Sequence, residues 1–328
     1  MGEVEVSVIL ITYNQENYIR KALDSILQQK TSFEYEIIIG DDCSTDTTPI
    51  IIKEYIRQYG SKIKAVFRKK NVGATRNSAG ITSKAKGKYL AFLEGDDYWC
   101  DEQKLQIQYD FLEKHPEYCA CGHQCIVVDE MEQPIVEKNN KDDRNYWYFS
   151  KSEYTIEDFE LAKAPGQVNS MFCRNLFTRE DLSFISYAHN MIGDKTMILV
   201  LLSKGRIYFM NREMHCYRLI ENVGADNWKS IARAKNKRFE EYRYFCTLEE
   251  YANTRLGMNI DLSLVKKDKL ICASVFLLRH FSIENLYVVF RMIMERGRVR
   301  INLCICIKAL LIKAFNLYIR GEDKPVVI

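Results

Sequence analysis

Short, almost uninterrupted apolar runs alternate with helical patterns through the first hundred residues. Val4–Thr12, Glu36–Gly40, Ile63–Arg68 and Lys88–Leu93 read as strands. Between them, Glu16–Gln29 sets Ile19, Ala22, Leu23, Ile26 and Leu27 on one helical face. Ser44, Thr45 and Asp46 supply helix-start chemistry for Thr48–Tyr59, and Gly73–Ala85 reads as a third helix ended by Lys86-Gly87. Apolar strands joined by helices require right-handed crossovers and a mainly parallel sheet covered on both faces. That restricts the chain to an open α/β architecture, whose ligands bind outside the carboxyl ends of the strands.

Two of those strands end in adjacent aspartates, Asp41-Asp42 and Asp96-Asp97. One such pair would read as a turn or helix cap. Two in matched settings point to a nucleotide on one pair and a cation on the other. The turn after the first strand, Tyr13–Asn17, contains no glycine. This argues against a dinucleotide-type phosphate turn, and there is no glycine-rich, lysine-bearing phosphate loop.

The 328 residues are 47% hydrophobic and 28% charged, the balance of a soluble globular protein. A net charge of +3 gives no argument for nucleic acid. The 11 cysteines are an odd, scattered set, and Met1-Gly-Glu-Val-Glu runs straight into a strand, so reduced thiols and a cytoplasmic setting are expected. Cys119, Cys121, His123 and Cys125 share one face of a strand but form a straight row, which does not close a tetrahedron around an ion. Buried apolar packing is their default.

Beyond the second acidic pair, Glu102–Lys114 reads as a helix stopped by Pro116, and Tyr118–Asp129 as a strand leading into the polar loop Glu130–Arg144. Val168–Phe177 reads as a strand, Asp194–Ser203 as a helix, and Arg206–Arg218 as a strand followed by the irregular stretch Leu219–Trp228. From Lys229 onward the chain reads as helical. A catalytic domain is expected over 1–225, with a nucleotide-binding half to about residue 100 and an acceptor half over 101–225, and a helical region over 226–328. Leu270–Leu278 and Ile301–Phe315 are apolar but interrupted by charge, so neither spans a membrane. Six basic and no acidic residues lie between Arg296 and Arg320, which fits an anionic membrane face; packing on the catalytic domain or on a second copy is the alternative.

The runs Ser7-Val-Ile-Leu-Ile-Thr-Tyr-Asn14, Ile37-Ile-Ile-Gly-Asp-Asp-Cys-Ser-Thr-Asp46, Asn71-Val-Gly-Ala-Thr-Arg-Asn77 and Gly87-Lys-Tyr-Leu-Ala-Phe-Leu-Glu-Gly-Asp-Asp97 occur in the order and spacing that resemble the family 2 glycosyltransferases. That large inverting group has a GT-A fold: Rossmann-like, with a mainly parallel central sheet flanked by helices, here followed by a helical C-terminal subdomain. The resemblance is strong over Val4–Trp99 and weaker over Gly193–Arg218. It implies that Thr12 and Tyr13 hold a nucleotide base, that Asp42 accepts from the uracil ring N–H, and that Arg76 lies near the base and diphosphate. Asp41 is then structural.

Glu94-Gly-Asp96 occupies the place of the family's metal motif, so Asp96 is expected to bind Mn²⁺ or Mg²⁺, with Glu94 in place of the commoner aspartate. Asp97 either supports it or faces the sugar. Asp194, at a helix start in Ile192-Gly-Asp-Lys195, matches the catalytic base, with an N-cap role as the alternative. Arg218, in Cys216-Tyr-Arg218, matches a diphosphate contact, and His215 is an additional metal-ligand candidate or a packing residue. Tyr98, Trp99 and Trp228 read as sugar-stacking surfaces or core aromatics, and Ile220–Trp228 as a lid.

The implied activity is metal-dependent, inverting transfer of a hexose or N-acetylhexosamine from a UDP-sugar to a saccharide. The acceptor is expected to be a polyprenyl-diphosphate-linked glycan of capsule or O-antigen synthesis, at the inner face of the membrane. A non-catalytic sugar-nucleotide or glycan-binding module is the alternative. A sugar-nucleotide pyrophosphorylase would need a glycine-rich signature that the chain lacks.

Overall fold

The computed structural model describes residues 3–141, 148–163, 167–189, 192–220, 238–280 and 282–294. Two compact units are present, Met1–Asn222 and Val223–Ile328. The first is organised on β1 (Val4–Thr12), β2 (Glu34–Asp41), β3 (Ile63–Phe67) and β4 (Tyr89–Glu94), paired in parallel in the order β3-β2-β1-β4. Helices α1 (Ile19–Leu27), α2 (Thr48–Tyr59) and α3 (Ala74–Thr82) lie in the crossovers between them. Val8 and Leu10 of β1, Ile37 and Ile39 of β2 and Leu93 of β4 join Leu23 and Ile26 of α1 in one buried core. Removing each such side chain from water stabilises the fold by about 1.5–3 kcal/mol.

The register aligns Thr12 with Asp41 and Ile11 with Glu94. Both acidic strand ends therefore flank the end of β1, the crevice expected for a ligand in an open sheet.

The sheet continues through β5 (Tyr98–Trp99), β6 (Tyr118–Val128), β7 (Glu153–Tyr154), β8 (Phe172–Arg174) and β9 (Arg206–Arg218), in the order β4-β8-β6-β9-β5 with β7 on β9. The long ladders are parallel, as expected, and this half adds short antiparallel ones that make the sheet mixed. β8 runs antiparallel to β4 and β6, and β5 and β7 run antiparallel to β9, while only β6 and β9 are parallel. Antiparallel neighbours need no helical crossover, so two- and three-residue strands entered from loops suffice. The strand expected over Val168–Phe177 opens on a 3₁₀ turn, Val168–Ser170, and only Phe172–Arg174, β8, is strand.

Around this half lie α4 (Lys104–Lys114), α5 (Ile156–Glu160), α6 (Arg179–Ala188) and α7 (Asp194–Lys204). The sequence reading missed α5 and α6. Each opens on a capping box, Thr155 with Asp158 and Thr178 with Asp181, a signal present in the sequence. The cysteine row of β6 is buried, and its pairing with β9 slips at His123/Gln124 and again at Gln124/Cys125. Among the described residues, a metal-ligating group forms only elsewhere, at Glu94, Asp96 and Asp97.

The second unit contains α8 (Arg238–Thr254), α9 (Ser263–Arg279) and α10 (Ile283–Met294). Tyr242, Leu270, Ala273, Val289 and Met292 form its core. No helix of the described residues is long and apolar enough to cross a membrane. The segment Ile301–Phe315, the 225/226 boundary, Trp228 and all of the expected lid beyond Ile220 lie outside the described residues.

One polar group in the first unit is buried at a cost. Lys104 is 0% exposed, its Nζ donates to Gln108 Oε1 at 2.7 Å, and the ammonium sits 4.2 Å over the Trp99 ring. Burial holds its pKa down at about 7. Between about pH 7 and pH 10 the unfolded chain therefore binds a proton that the folded chain does not, so stability rises with pH across that window. Lys104→Met is expected to flatten this slope, as measured by urea unfolding at about pH 6.5 and about pH 9.5. An unchanged slope in the variant would contradict the assignment.

Candidate active site

The site begins with two turns tied together. The Asn14 N–H donates to Ser44 Oγ (2.9 Å), Thr45 N–H to Asn14 Oδ1 (2.8 Å) and Gln15 N–H to Thr48 Oγ1 (3.0 Å). These bonds lock the β1–α1 turn against the β2–α2 turn. Asn14 and Cys43 both take positive φ, 51° and 68°, a backbone cost held by the surrounding bonds.

Asp42 closes the next turn. Its Oδ1 accepts from the Val72 N–H and its Oδ2 from the Gly73 N–H, each at 2.8 Å. Gly73, with φ 90°, precedes α3 in a conformation that only glycine adopts freely. Asp41 has one oxygen bonded to the Ser44 N–H (3.2 Å), while Oδ1 is buried without a partner, and burial raises its pKa. Asp42 thus clasps the turn before α3 with one bond to each oxygen, while Asp41 keeps one buried oxygen without a hydrogen-bond partner. Thr12 is buried, Tyr13 is half-buried, and Arg76 projects from the first turn of α3 into solvent. Asn77, of the same helix, donates to the Gly40 carbonyl at 2.6 Å. A methyl group on Gly40 would meet Asn77 Oδ1 at 2.5 Å, so close helix–strand packing requires the glycine.

At the end of β4, oxygens of Glu94, Asp96 and Asp97 all lie within 4.8 Å of one another. Burial first, then the charges of Asp96 and Asp194, push the Glu94 pKa up to about 8. Burial also raises Asp96 and Asp97; Asp96 is pulled back by its own backbone N–H, Arg218 and Gln15, and Asp97 by the Arg218 N–H and Asn169. Thr12 Oγ1 and Gln15 Oε1 are buried without partners beside Gly95, where a methyl group would approach them to 2.9 and 2.5 Å. Crowded carboxylates with spare oxygens nearby suit a hard divalent cation.

Two braces hold the cluster. Asn169, which sequence reasoning missed, accepts from the Glu94 N–H at 3.0 Å and donates to Asp97 Oδ2. Arg218 gives its backbone N–H to Asp97 Oδ1 (2.7 Å), its Nε–H to the Asp96 carbonyl (2.9 Å) and its remaining amino groups to the Glu130 carbonyl and Glu132 Oε1, both at 3.2 Å. Both side chains are buried. Asp97 has both oxygens bonded, one by Asn169 and one by the Arg218 N–H. Arg218, expected at a diphosphate, is committed here to the cluster and stacks 4.7 Å over Tyr18.

Asp194 is the first residue of α7, and Gly193 is the N-cap, with no side-chain cap bond. Burial raises the Asp194 pKa, against the pull of the Lys195 charge and of the backbone N–H groups of Asp194 and Val168. Its charge acts on Glu94, so the structure brings Asp194 to the acidic cluster. Trp99 corrects the sugar-stacking expectation: it is 4% exposed, belongs to the core and lies under Lys104. His215 is likewise buried, its ring 5.3 Å from that of His123, and is absent from the metal-ligating group.

A model of glycosyl transferase family 2 matches residues 7–179. The chain belongs to glycosyl transferase family 2. It is 31% identical over 233 residues to TuaG of Bacillus subtilis, named as a teichuronic acid biosynthesis glycosyltransferase, covering 70% of this chain and 84% of that one. An uncharacterised Mycobacterium tuberculosis protein is 46% identical over 125 residues, 38% of this chain; the match spans only 36% of the relative's length. The Staphylococcus aureus TarS structure in complex with UDP-GlcNAc superposes with a TM-score of 0.62 at 16% identity, covering 88% of this chain and 79% of that one. This likeness shows the GT-A fold, with its mixed sheet flanked by helices.

The raised Glu94 pKa has a consequence for stability. Between about pH 4.3 and pH 8 the folded chain holds a proton that the unfolded chain has lost, so stability falls as pH rises through this window when no cation is present. Glu94→Gln is expected to raise the melting temperature in chelator by about 2–4 °C and to diminish the increase produced by Mn²⁺. Thermal unfolding in EDTA and in Mn²⁺ checks both, and an undiminished Mn²⁺ response would remove Glu94 from the cation site.

Proposed function

We propose that the chain is a metal-dependent, inverting glycosyltransferase that moves a hexose or N-acetylhexosamine from a UDP-sugar to a saccharide acceptor. The observation that carries this reading is the convergence of Glu94, Asp96 and Asp97 at the carboxyl end of β4, with Asp194 near enough for its charge to act on Glu94. Support also comes from TuaG, named for teichuronic acid biosynthesis, and from the UDP-GlcNAc complex of TarS. In this reading Thr12, Tyr13 and Asp42 would meet the nucleotide base, and the exposed Arg76 guanidinium would meet phosphate.

Asp96, with Glu94 beside it, would hold Mn²⁺ or Mg²⁺. That ion would supply Lewis-acid neutralisation of the charge on the departing UDP. Arg218 and Asn169 keep the carboxylates oriented and limit their repulsion. Asp194 removes the proton from the acceptor hydroxyl, and its raised pKa makes it a better base. The hydroxyl oxygen then bonds to the anomeric carbon from the face opposite UDP. The bond to the diphosphate breaks with its electron pair leaving on UDP, so configuration inverts.

The acceptor we infer is a lipid-linked glycan of cell-surface polysaccharide synthesis, used at the cytoplasmic face of the membrane. Asp194→Asn is expected to lower kcat by about 10²–10⁴-fold with little change in donor KM. Asp96→Asn is expected to abolish the Mn²⁺-dependent rise in melting temperature with UDP-GlcNAc. Turnover that survives both substitutions would overturn the roles given to Asp96 and Asp194, and a wild-type chain that binds UDP-GlcNAc without turning it over would be a binding module.

A further inference from the structure

Beside the acidic cluster, Gln15 Oε1 and Thr12 Oγ1 are buried without a hydrogen-bond partner, and Thr12 as a whole is 3% exposed. Both border the place that a β-carbon of residue 95 would take, at 2.5 and 2.9 Å. Gly95 separates Glu94 from Asp96 in the chain, so the space left by its missing side chain lies within the acidic motif. A buried acceptor left unbonded is costly, and each one in a native fold calls for a physical reason.

The fold does not need the Gln15 side chain. Its backbone N–H donates to Thr48 Oγ1 at 3.0 Å, and its carbonyl accepts from the Tyr18 and Ile19 N–H groups at 3.0 and 2.9 Å. Those bonds fix the β1–α1 turn through the main chain alone. The amide N–H of the side chain donates to the Asp96 carboxylate. That bond turns the amide toward the cluster and leaves its oxygen unused. An amide oxygen only accepts, so it calls for a donor or a cation at this place.

The charge already present favours a cation held by a neutral oxygen. Oxygens of Glu94, Asp96 and Asp97 lie within 4.8 Å of one another. A fourth carboxylate would add repulsion before any ion arrives. Both Asp97 oxygens are bonded to Asn169 and Arg218, which leaves few carboxylate lone pairs for an ion. Hard divalent cations take about six or more oxygens, and amide carbonyls are among the usual ones.

We propose that Gln15 Oε1 is a further ligand of the divalent cation, a neutral oxygen delivered from the β1–α1 turn. This role rests on the metal dependence inferred above. The test titrates Mn²⁺ alone against the melting temperature of the full chain, and then repeats the titration with UDP-GlcNAc. Gln15→Leu should keep the wild-type melting temperature in EDTA. It should need about tenfold more Mn²⁺ for the same rise, the loss of one contact to a charged group. Gln15→Glu should do the reverse: a lower melting temperature in EDTA from crowded carboxylates, and a rise that begins at lower Mn²⁺.

A merely structural amide would not move the Mn²⁺ midpoint in opposite directions in the two variants. Midpoints equal to wild type in both overturn the proposal. So does an intact Mn²⁺ response in Gln15→Leu with a weakened response to UDP-GlcNAc, because the amide oxygen would then meet the donor. A wild-type chain that ignores Mn²⁺ overturns the metal dependence together with this ligand, whereas a responsive wild type with unresponsive midpoints overturns the ligand alone.

Discussion

Keeping like charges together is the constraint on which the first unit turns. Glu94, Asp96 and Asp97 bring their oxygens within 4.8 Å at the end of a buried strand. At an effective dielectric of about 20, each ionised pair at that range repels by about 3 kcal/mol. The protein offsets this from outside β4. Asn169 comes from the 3₁₀ turn before β8, and Arg218 from the end of β9. Those two groups explain why the sheet stops being parallel after β4. The antiparallel β8 and the β9–β5 pairing deliver one amide and one guanidinium to a cluster that parallel crossovers alone would leave unsupported.

The same logic separates the residues that were legible in the sequence from those that were not. β1, α2 and β9 fall at the boundaries that their patterns suggest, because buried parallel strands and amphipathic helices carry long periodic signals. β5, β7 and β8 have two or three residues each, too few for any period, and their existence is decided by partners distant in the chain. Asn169 was illegible for the same reason: nothing near it announces that its amide spans Glu94 and Asp97. Trp99 was left open between a sugar platform and the core because an aromatic beside an acidic pair suits either. Successive residues of a strand point to opposite faces. Tyr98 therefore takes the side of Arg218, and Trp99 is left for the core with Lys104.

The acidic pair after β2 shows a subtler limit. Motif matching could say that a carboxylate belongs at the end of β2, but not which oxygen is already used. The turn from Val72 to Gly73 leaves two backbone N–H groups near the sheet, and a buried donor without a partner costs about 1–3 kcal/mol. Asp42 satisfies both. A nucleotide base reaching Asp42 therefore meets a carboxylate already fixed in place, which loses little entropy on binding and keeps lone pairs for a further donor.

The helical unit illustrates why composition alone misplaces a surface. The apolar content of α9 drew attention in the sequence, yet Leu270, Ile271 and Ala273 are buried and consumed by internal packing. α10 contains both kinds of apolar residue: Val289 and Met292 complete the three-helix core, and the opposite side is left over. A helix that is apolar on two faces has more hydrophobic surface than its own unit can bury, and the second face is stable only against something else.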